Sequence, residues 1–426
     1  MKLVHAADLH LDSPLRGLDR YDGAPVDQFR DASRAAMKNL VQLCLDEQAA
    51  MLLLAGDLYD GSWRDYRTGL FFSQQMSRLR AANVQVVLIR GNHDAESTIH
   101  KHLPLPDNVL ELSAKRPETR RFEQLGLAVH GQSFAQRAVS EDLADRYPVA
   151  LSGLVNIGLL HTSADGREGH DAYAPCSVET LRNKGYDYWA LGHVHAREVL
   201  STEPWIVFPG NLQGRHARET GPKGATLITV DHGRIASVEA RALDVVRWAQ
   251  LTVDAESASE VDDVADRARA SLEAAVRTAE GRLLAARLTV VGRSAAHARI
   301  EAEPAAFEAR LRALASDVGD GERVWLEKIA LRTAAPFDLG GAIERDDAVG
   351  ELVRALRGMA GDEALLAELC AELGELRAKL PAELRDGPDS LRLDDPAMVA
   401  GLADELEQLL LPRLLGSERA RLRDPT

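Results

Sequence analysis

Cysteine is scarce in these 426 residues: Cys44, Cys176 and Cys370 are odd in number and widely separated. That excludes a disulfide framework and a thiolate zinc pattern, and it fits a reducing cytoplasm. No apolar run approaches the length of a membrane span, and the opening MKLVHAADLH lacks the charged-then-apolar layout of a secretion signal. No G-x-x-x-x-G-K-[ST] segment occurs, so any ATP-driven work belongs to a separate chain. Internal repeats and low-complexity tracts are also absent. Positive charge is in deficit, with 51 Lys and Arg against 66 Asp and Glu. A net charge of −15 argues against non-specific adhesion to nucleic acid, though bound metal ions would supply positive charge locally.

The deficit is uneven. Residues 1–250 carry 28 basic and 31 acidic side chains, whereas residues 251–426 carry 23 and 35. Twelve of the thirteen histidines precede residue 233. The tail therefore reads as solvated helical surface and the front as the place for chemistry.

Short apolar runs predict strands at Lys2–Ala6, Met51–Ala55, Val84–Ile89, Leu127–His130, Asn156–His161, Tyr188–Leu191 and Ile206–Phe208. Between the first of these, Gln28–Gln48 and Tyr66–Ala82 carry apolar residues near 3.6 spacing. Such alternation is the pattern of βαβ units, a buried sheet with helices on its faces. Ala225–Val230 and Ile235–Ala240, joined by Asp231-His232-Gly233, read as a closing hairpin. Beyond it, Trp248–Asp254, Leu283–Val291 and Arg323–Thr333 read as strands separated by helices, the second of them Ser294–Ser316. That is a β-α-β-α-β module of about 90 residues. After Ala335-Pro336 the composition is helical, with a loop near Arg385–Pro396 and a final helix at Ala397–Leu415.

Five short motifs end or follow predicted strands: Asp8-Leu9-His10, Gly56-Asp57, Gly91-Asn92-His93-Asp94, Leu160-His161 and Gly192-His193-Val194-His195. Ligands of α/β sheets bind beyond the carboxyl ends of the strands, so these motifs would converge on one pocket. Two carboxylates, four imidazoles and one amide oxygen suffice for two metal ions, with Asp57 the best candidate to lie between them. Oxygen ligands mixed with imidazole suit Mn²⁺, Fe or Zn²⁺ better than Ca²⁺. An aspartate within reach of a histidine fixes its tautomer and raises its pKa, as a general acid requires.

In this order the five motifs resemble those of the calcineurin-like metallophosphoesterases: D-x-H, G-D, G-N-H-D/E, H and G-H-x-H. That resemblance implies one metal held by Asp8, His10, Asp57 and His195, and a second held by Asp57, Asn92, His161 and His193. It leaves His93 to approach the scissile phosphate, with Asp94 orienting it. Ligation brings the pKa of water towards neutrality and so supplies the nucleophile. The motifs alone would also suit a protein phosphatase, a cyclic-nucleotide phosphodiesterase or a nucleotide-sugar pyrophosphatase.

Further stretches narrow the likeness. LVHAADLHLDSPL resembles the SbcD-type DNA-repair exonucleases, and LPLPDNV, VHGQSF and PGNLQGRHARETGPKG resemble their YhaO-like branch. The implied fold is α/β: a four-layer αββα metallophosphoesterase domain over residues 1–243. A small α+β capping and DNA-binding domain over 244–334 and a helical partner-binding region over 335–426 would follow. The implied activity is two-metal, Mn²⁺-dependent hydrolysis of DNA phosphodiester bonds, with Fe or Zn²⁺ as alternative metals. The implied partners are DNA, a separate SbcC-like coiled-coil ATPase and a second copy of the chain, in the cytoplasm and away from membranes. The alternative is a phosphoesterase of nucleotides or other small phosphodiesters.

Other residues near the motifs divide into functional and structural readings. The Gly-rich basic loop after GHVH would set Arg215, Arg218 and Lys223 against flanking phosphates. Arg64 and Arg67 offer the same from another side, or only solubility. His5 and His130 read as core residues, Asp12, Asp60 and Asp171 as caps or turn residues, and His100 and His102 as surface. The leucine-rich end Leu402–Leu415 suits packing on a partner helix or on its own domain.

Overall fold

The computed structural model describes residues 1–13, 25–60, 66–95, 105–164, 174–336, 343–377, 379–380, 392–402 and 406. Arg64, His100, His102, Asp171 and most of the expected helix Ala397–Leu415 lie outside the described residues.

Two six-stranded sheets form the front of the chain. In the first, β1 (Lys2–Ala6), β2 (Met51–Ala55), β3 (Gln85–Ile89) and β4 (Val109–Glu111) run parallel, and the hairpin β11 (Gly224–Asp231) and β12 (Arg234–Ala242) closes the β1 edge in antiparallel pairing. The second has the order β5 (Glu118–Phe122), β6 (Leu127–Gly131), β7 (Val155–His161), β8 (Tyr188–Gly192), β10 (Trp205–Phe208), β9 (Glu198–Thr202). Within it β6, β7, β8 and β10 are parallel.

Alternation along each strand builds the layers. Val4, Leu52, Leu54, Val86 and Leu88 face one core, shared with α1 (Val26–Asp46) and α2 (Tyr66–Ala81). The intervening Leu3, Met51, Leu53, Val87 and Ile89 face the second sheet, where Val155, Ile157, Leu159, Tyr188 and Ala190 meet them. On the far side of that sheet, Leu160, Trp189 and Leu191 pack with Leu181 of α4 (Val178–Asn183). Helix, sheet, sheet, helix is the expected four-layer αββα order. A one-turn helix, α3, spans Asn92–Ala95.

A third sheet has the order β13 (Val246–Asp254), β14 (Leu283–Arg293), β15 (Val324–Ala334). Between the first two strands lies α5 (Val261–Ala279). The single helix expected over Ser294–Ser316 is two, α6 (His297–Ala302) and α7 (Pro304–Val318). Pro304 has no N–H for an unbroken helix, and its fixed φ suits a first helical position. Trp248, Leu283, Ala285 and Trp325 pack with Phe29 and Ala32 of α1. Helices α8 (Ala348–Ala360) and α9 (Glu363–Arg377) follow.

Contacts divide the chain into two compact units. One comprises Met1–Leu251, Arg269–Leu288 and Leu311–Ile329; the other comprises Thr252–Ala268, Thr289–Arg310 and Ala330–Thr426. Among the described residues, no helix is long and apolar enough to cross a membrane.

Candidate metal centre

The five motifs follow the carboxyl ends of β1, β2, β3, β7 and β8, and their side chains meet. Asp8, His10 and His195 form one cluster, and Asp57, His161 and His193 another. In each, the donor atoms lie within 4.8 Å of one another. Asp57 Oδ2 lies between the groups, 3.4 Å from His161 Nε2 and 4.0 Å from His10 Nε2. Asn92 Oδ1 is 2.9 Å from His161 Nε2.

Tight turns make this convergence. Asp8, His10, Asp57 and His193 all have positive φ, at 53°, 41°, 54° and 102°. Such backbone is costly for residues with a Cβ, and it persists where surrounding bonds over-determine it. Those bonds are present: the Asp8 amide donates to Gly56 O, the His10 amide to Asp57 O, and the His193 amide to the Asp8 carboxylate. Gly91 is required for a different reason. A Cβ there would stand 2.2 Å from Asp57 Oδ1 and 2.8 Å from His161 Cε1.

The donor set fits metal ions. His10 Nδ1 faces Asp60 at 3.2 Å and His195 Nδ1 faces Glu219 at 2.7 Å. A carboxylate only accepts, so each Nδ1 carries the hydrogen and each Nε2 is left as a lone pair. Burial, the largest influence on both rings, lowers their pKa and favours the neutral form. The two Nε2 atoms are nevertheless only 3.2 Å apart. Two facing lone pairs at that distance repel unless a cation joins them. His161 repeats the pattern, because its Nδ1 donates to Ala55 O and turns Nε2 towards the oxygens of Asn92 and Asp57.

Charge is concentrated here. Burial raises the Asp8 carboxyl to about 6, against the pull of His195 and His161. Burial would raise Asp57 too, but the facing His161 outweighs it and holds that carboxyl well below the usual range. Burial likewise opposes a charged His161, yet Asp57 lifts it to about 9. A divalent ion would take the place of that proton.

His93 stands at the more open rim, its side chain 34% exposed. Its expected orienting partner, Asp94, is engaged elsewhere. The Asp94 carboxylate accepts from the amides of Leu58, Tyr59 and Gly91, so it locks the turns that carry Asp57 and Asn92. The partner of His93 is Asp60, whose Oδ1 lies 3.0 Å from His93 Nδ1 and raises its pKa. Asp60, expected to be a turn residue, is thus part of the site. The imidazoles of His10 and His93 hold it far below the usual carboxylate range despite its burial.

The basic loop divides. The Arg215 guanidinium lies 3.3 Å from His195 Nδ1 and 4.0 Å from Asp60. Arg218 is exposed. Lys223 is buried, and its ammonium donates to His195 O at 2.7 Å, so its expected phosphate contact is replaced by support of the loop. His5 and His130 are buried among Tyr188, Leu191 O, Thr119 and Asn156, as core residues. Asp12 holds Arg34 through both carboxylate oxygens. Asp60 and Glu219 escape sequence reasoning because a carboxylate among motif or basic residues looks like ordinary polarity. The signal for Asp60 is its place three residues after Asp57 in GDLYD; for Glu219 it is an acid inside a basic loop.

Two packed sheets carrying this donor set at their strand ends define a calcineurin-like metallophosphoesterase domain. The calcineurin-like phosphoesterase family model matches residues 1–197, within this domain. The chain is YhaO-like: a model described as metallophosphoesterase YhaO, middle domain, matches residues 248–334. It is 38% identical over 258 residues to an uncharacterized metallophosphoesterase YhaO of Bacillus subtilis, covering 60% of this chain and 63% of that one. More distant similarity reaches a DNA double-strand break repair protein Mre11 of Methanopyrus kandleri, at 25% identity over 56% of each chain. It also reaches the SbcD component of the SbcCD nuclease of Rhodobacter capsulatus, at 26% identity over 55% of this chain and 65% of that one. The chain thus spans less than two thirds of the length of these relatives. Calcineurin-like phosphoesterases use two divalent metals, and the clustered His and Asp residues of this chain are of the type that binds them.

Proposed function

We propose that this chain hydrolyses DNA phosphodiester bonds with two divalent ions, most simply Mn²⁺, as the nuclease subunit of a cytoplasmic complex with a separate SbcC-like ATPase. One observation carries the reading: a buried convergence of nitrogen and oxygen lone pairs with His93, paired to Asp60, at its rim. Asp8, His10, Asp57 and His195 would hold one ion, and Asp57, Asn92, His161 and His193 the other. Bound there, the ions would neutralise charge on the phosphoryl oxygens and supply a nucleophile at neutral pH.

His93 donates a proton to the leaving oxygen, and Asp60 keeps its ring oriented and charged. Arg215 binds a phosphate oxygen, as a guanidinium does with charge-assisted bonds. The choice of DNA over other phosphodiesters is supported by the Mre11 and SbcD relatives, at distant identity. In this reading residues 1–243 do the chemistry, 244–334 cap it, and 335–426 contact the ATPase, in a homodimer.

A second reading, hydrolysis of nucleotides or small phosphodiesters, is favoured by one observation. With Lys223 turned inward, the loop brings only Arg215 against the centre. The two readings separate on linear DNA, nucleotides and bis(4-nitrophenyl) phosphate assayed side by side with Mn²⁺. DNA degradation supports the first; rapid nucleotide turnover without DNA cleavage replaces it with the second.

A further inference from the structure

Glu219 lies at a junction that the five motifs do not include. Its Oε1 is 2.7 Å from His195 Nδ1 and 3.5 Å from an Arg215 guanidinium nitrogen. Its Oε2 accepts from the Arg215 amide at 2.7 Å and from Asn211 Nδ2 at 2.9 Å. The carboxylate is buried, so these bonds are made where it is largely shielded from water. The same loop grips His195 a second time, through Lys223 Nζ and the Asn211 amide on its carbonyl. The loop itself is anchored on β13: Gln213 bonds the backbone of Val245 and Val246, and Trp248 Nε1 donates to Gly214 O.

The other half of the centre is built differently. His161 turns its outward nitrogen to a neutral backbone carbonyl, Ala55 O, with no carboxylate behind it. A carboxylate behind an imidazole fixes its tautomer and strengthens it as a ligand, more than a neutral carbonyl does.

We propose that Glu219 is a positioning residue for two groups at once. It holds His195 as an Nε2 donor to one ion, and it aims the Arg215 guanidinium between His195 and Asp60. The loop 210–223 then joins ion binding and phosphate binding on one side of the centre, and Glu219 is the link. This rests on the metal-centre reading above and adds to it which ion depends on the loop.

The test is calorimetric titration of the full chain with Mn²⁺, together with hydrolysis of bis(4-nitrophenyl) phosphate. Glu219→Gln is expected to weaken one of two binding events about 10- to 100-fold, the range for loss of such a support, and to leave the other unchanged. Its KM is expected to rise several-fold, with the melting temperature of the metal-free protein kept. Arg215→Ala is expected to raise KM while retaining both metal affinities. If Glu219→Gln fails to fold, Glu219→Asp, which keeps the charge but retracts by one methylene, is expected to show the same selective loss. Equal weakening of both events, or unchanged affinity in the Glu219 variants, overturns the proposal. A wild-type chain that binds no divalent ion overturns the metal-centre reading itself.

Discussion

One oxygen of Asp60 serves two rings: it lies 3.0 Å from His93 Nδ1 and 3.2 Å from His10 Nδ1. The carboxylate that would orient a metal ligand is therefore also the one that raises the pKa of the rim histidine. Its own pKa is far below neutrality, so it stays charged across the working pH range.

Asp60→Asn removes the chief cause of the raised His93 pKa. A general acid works only while protonated, so activity falls as pH rises through that pKa. In the variant the alkaline limb of the kcat/KM profile moves to lower pH. Above that lowered pKa DNA cleavage drops, by up to the roughly 10²- to 10⁴-fold that a positioned general acid contributes. Bis(4-nitrophenyl) phosphate, whose leaving group hardly needs the proton, loses much less. Equal losses on both substrates would assign Asp60 to His10 alone.

Gly91→Ala places a methyl group 2.2 Å from Asp57 Oδ1 and 2.8 Å from His161 Cε1, both of them buried side chains. Relief requires Asp57 or His161 to shift. The variant is expected to lose about 1–3 kcal/mol of stability, the usual cost of overpacking, and to bind metal with reduced stoichiometry. Denaturant unfolding and metal analysis read the two effects separately. A fully loaded variant would mean that Asp57 does not stand between the ions.

His5 provides a pH effect outside the centre. Burial lowers its pKa to about 3, against 6.5 for a free histidine. The folded chain keeps it neutral while the unfolded chain takes up a proton below pH 6.5, so stability is full above that value and is lost as pH falls towards 3. The melting temperature should therefore decline with acid from about pH 6.5. His5→Gln, which keeps a polar group but cannot titrate, should flatten that decline. An unaltered slope would place the acid sensitivity elsewhere.

Much of this was legible in the sequence. β1 and β2 fall at the bounds their apolar runs predict, because strands buried on both faces advertise themselves as uninterrupted hydrophobic stretches. The motif residues are legible because each sits just past such a run. Edge strands were not. Glu118–Phe122 and Glu198–Thr202 are polar and partly exposed, as edges tend to be, and carry no hydrophobic signal. Asp60 and Glu219 were illegible for another reason. Their roles depend on distances to His93, His10 and His195, which only tertiary structure supplies, while Asp94 looked adjacent to His93 yet is drawn away by three amides.

The central claim is a division of labour: seven side chains gather two ions, and His93 beside them is kept for the substrate. Metal content and DNA cleavage, measured together on Mn²⁺-loaded wild type, His93→Ala and His161→Ala, test it most directly. The expected result is two ions per wild-type chain, two retained in His93→Ala with cleavage reduced by at least about 100-fold, and fewer than two in His161→Ala. A His93→Ala chain that loses its metal, or that cleaves as wild type does, would contradict it.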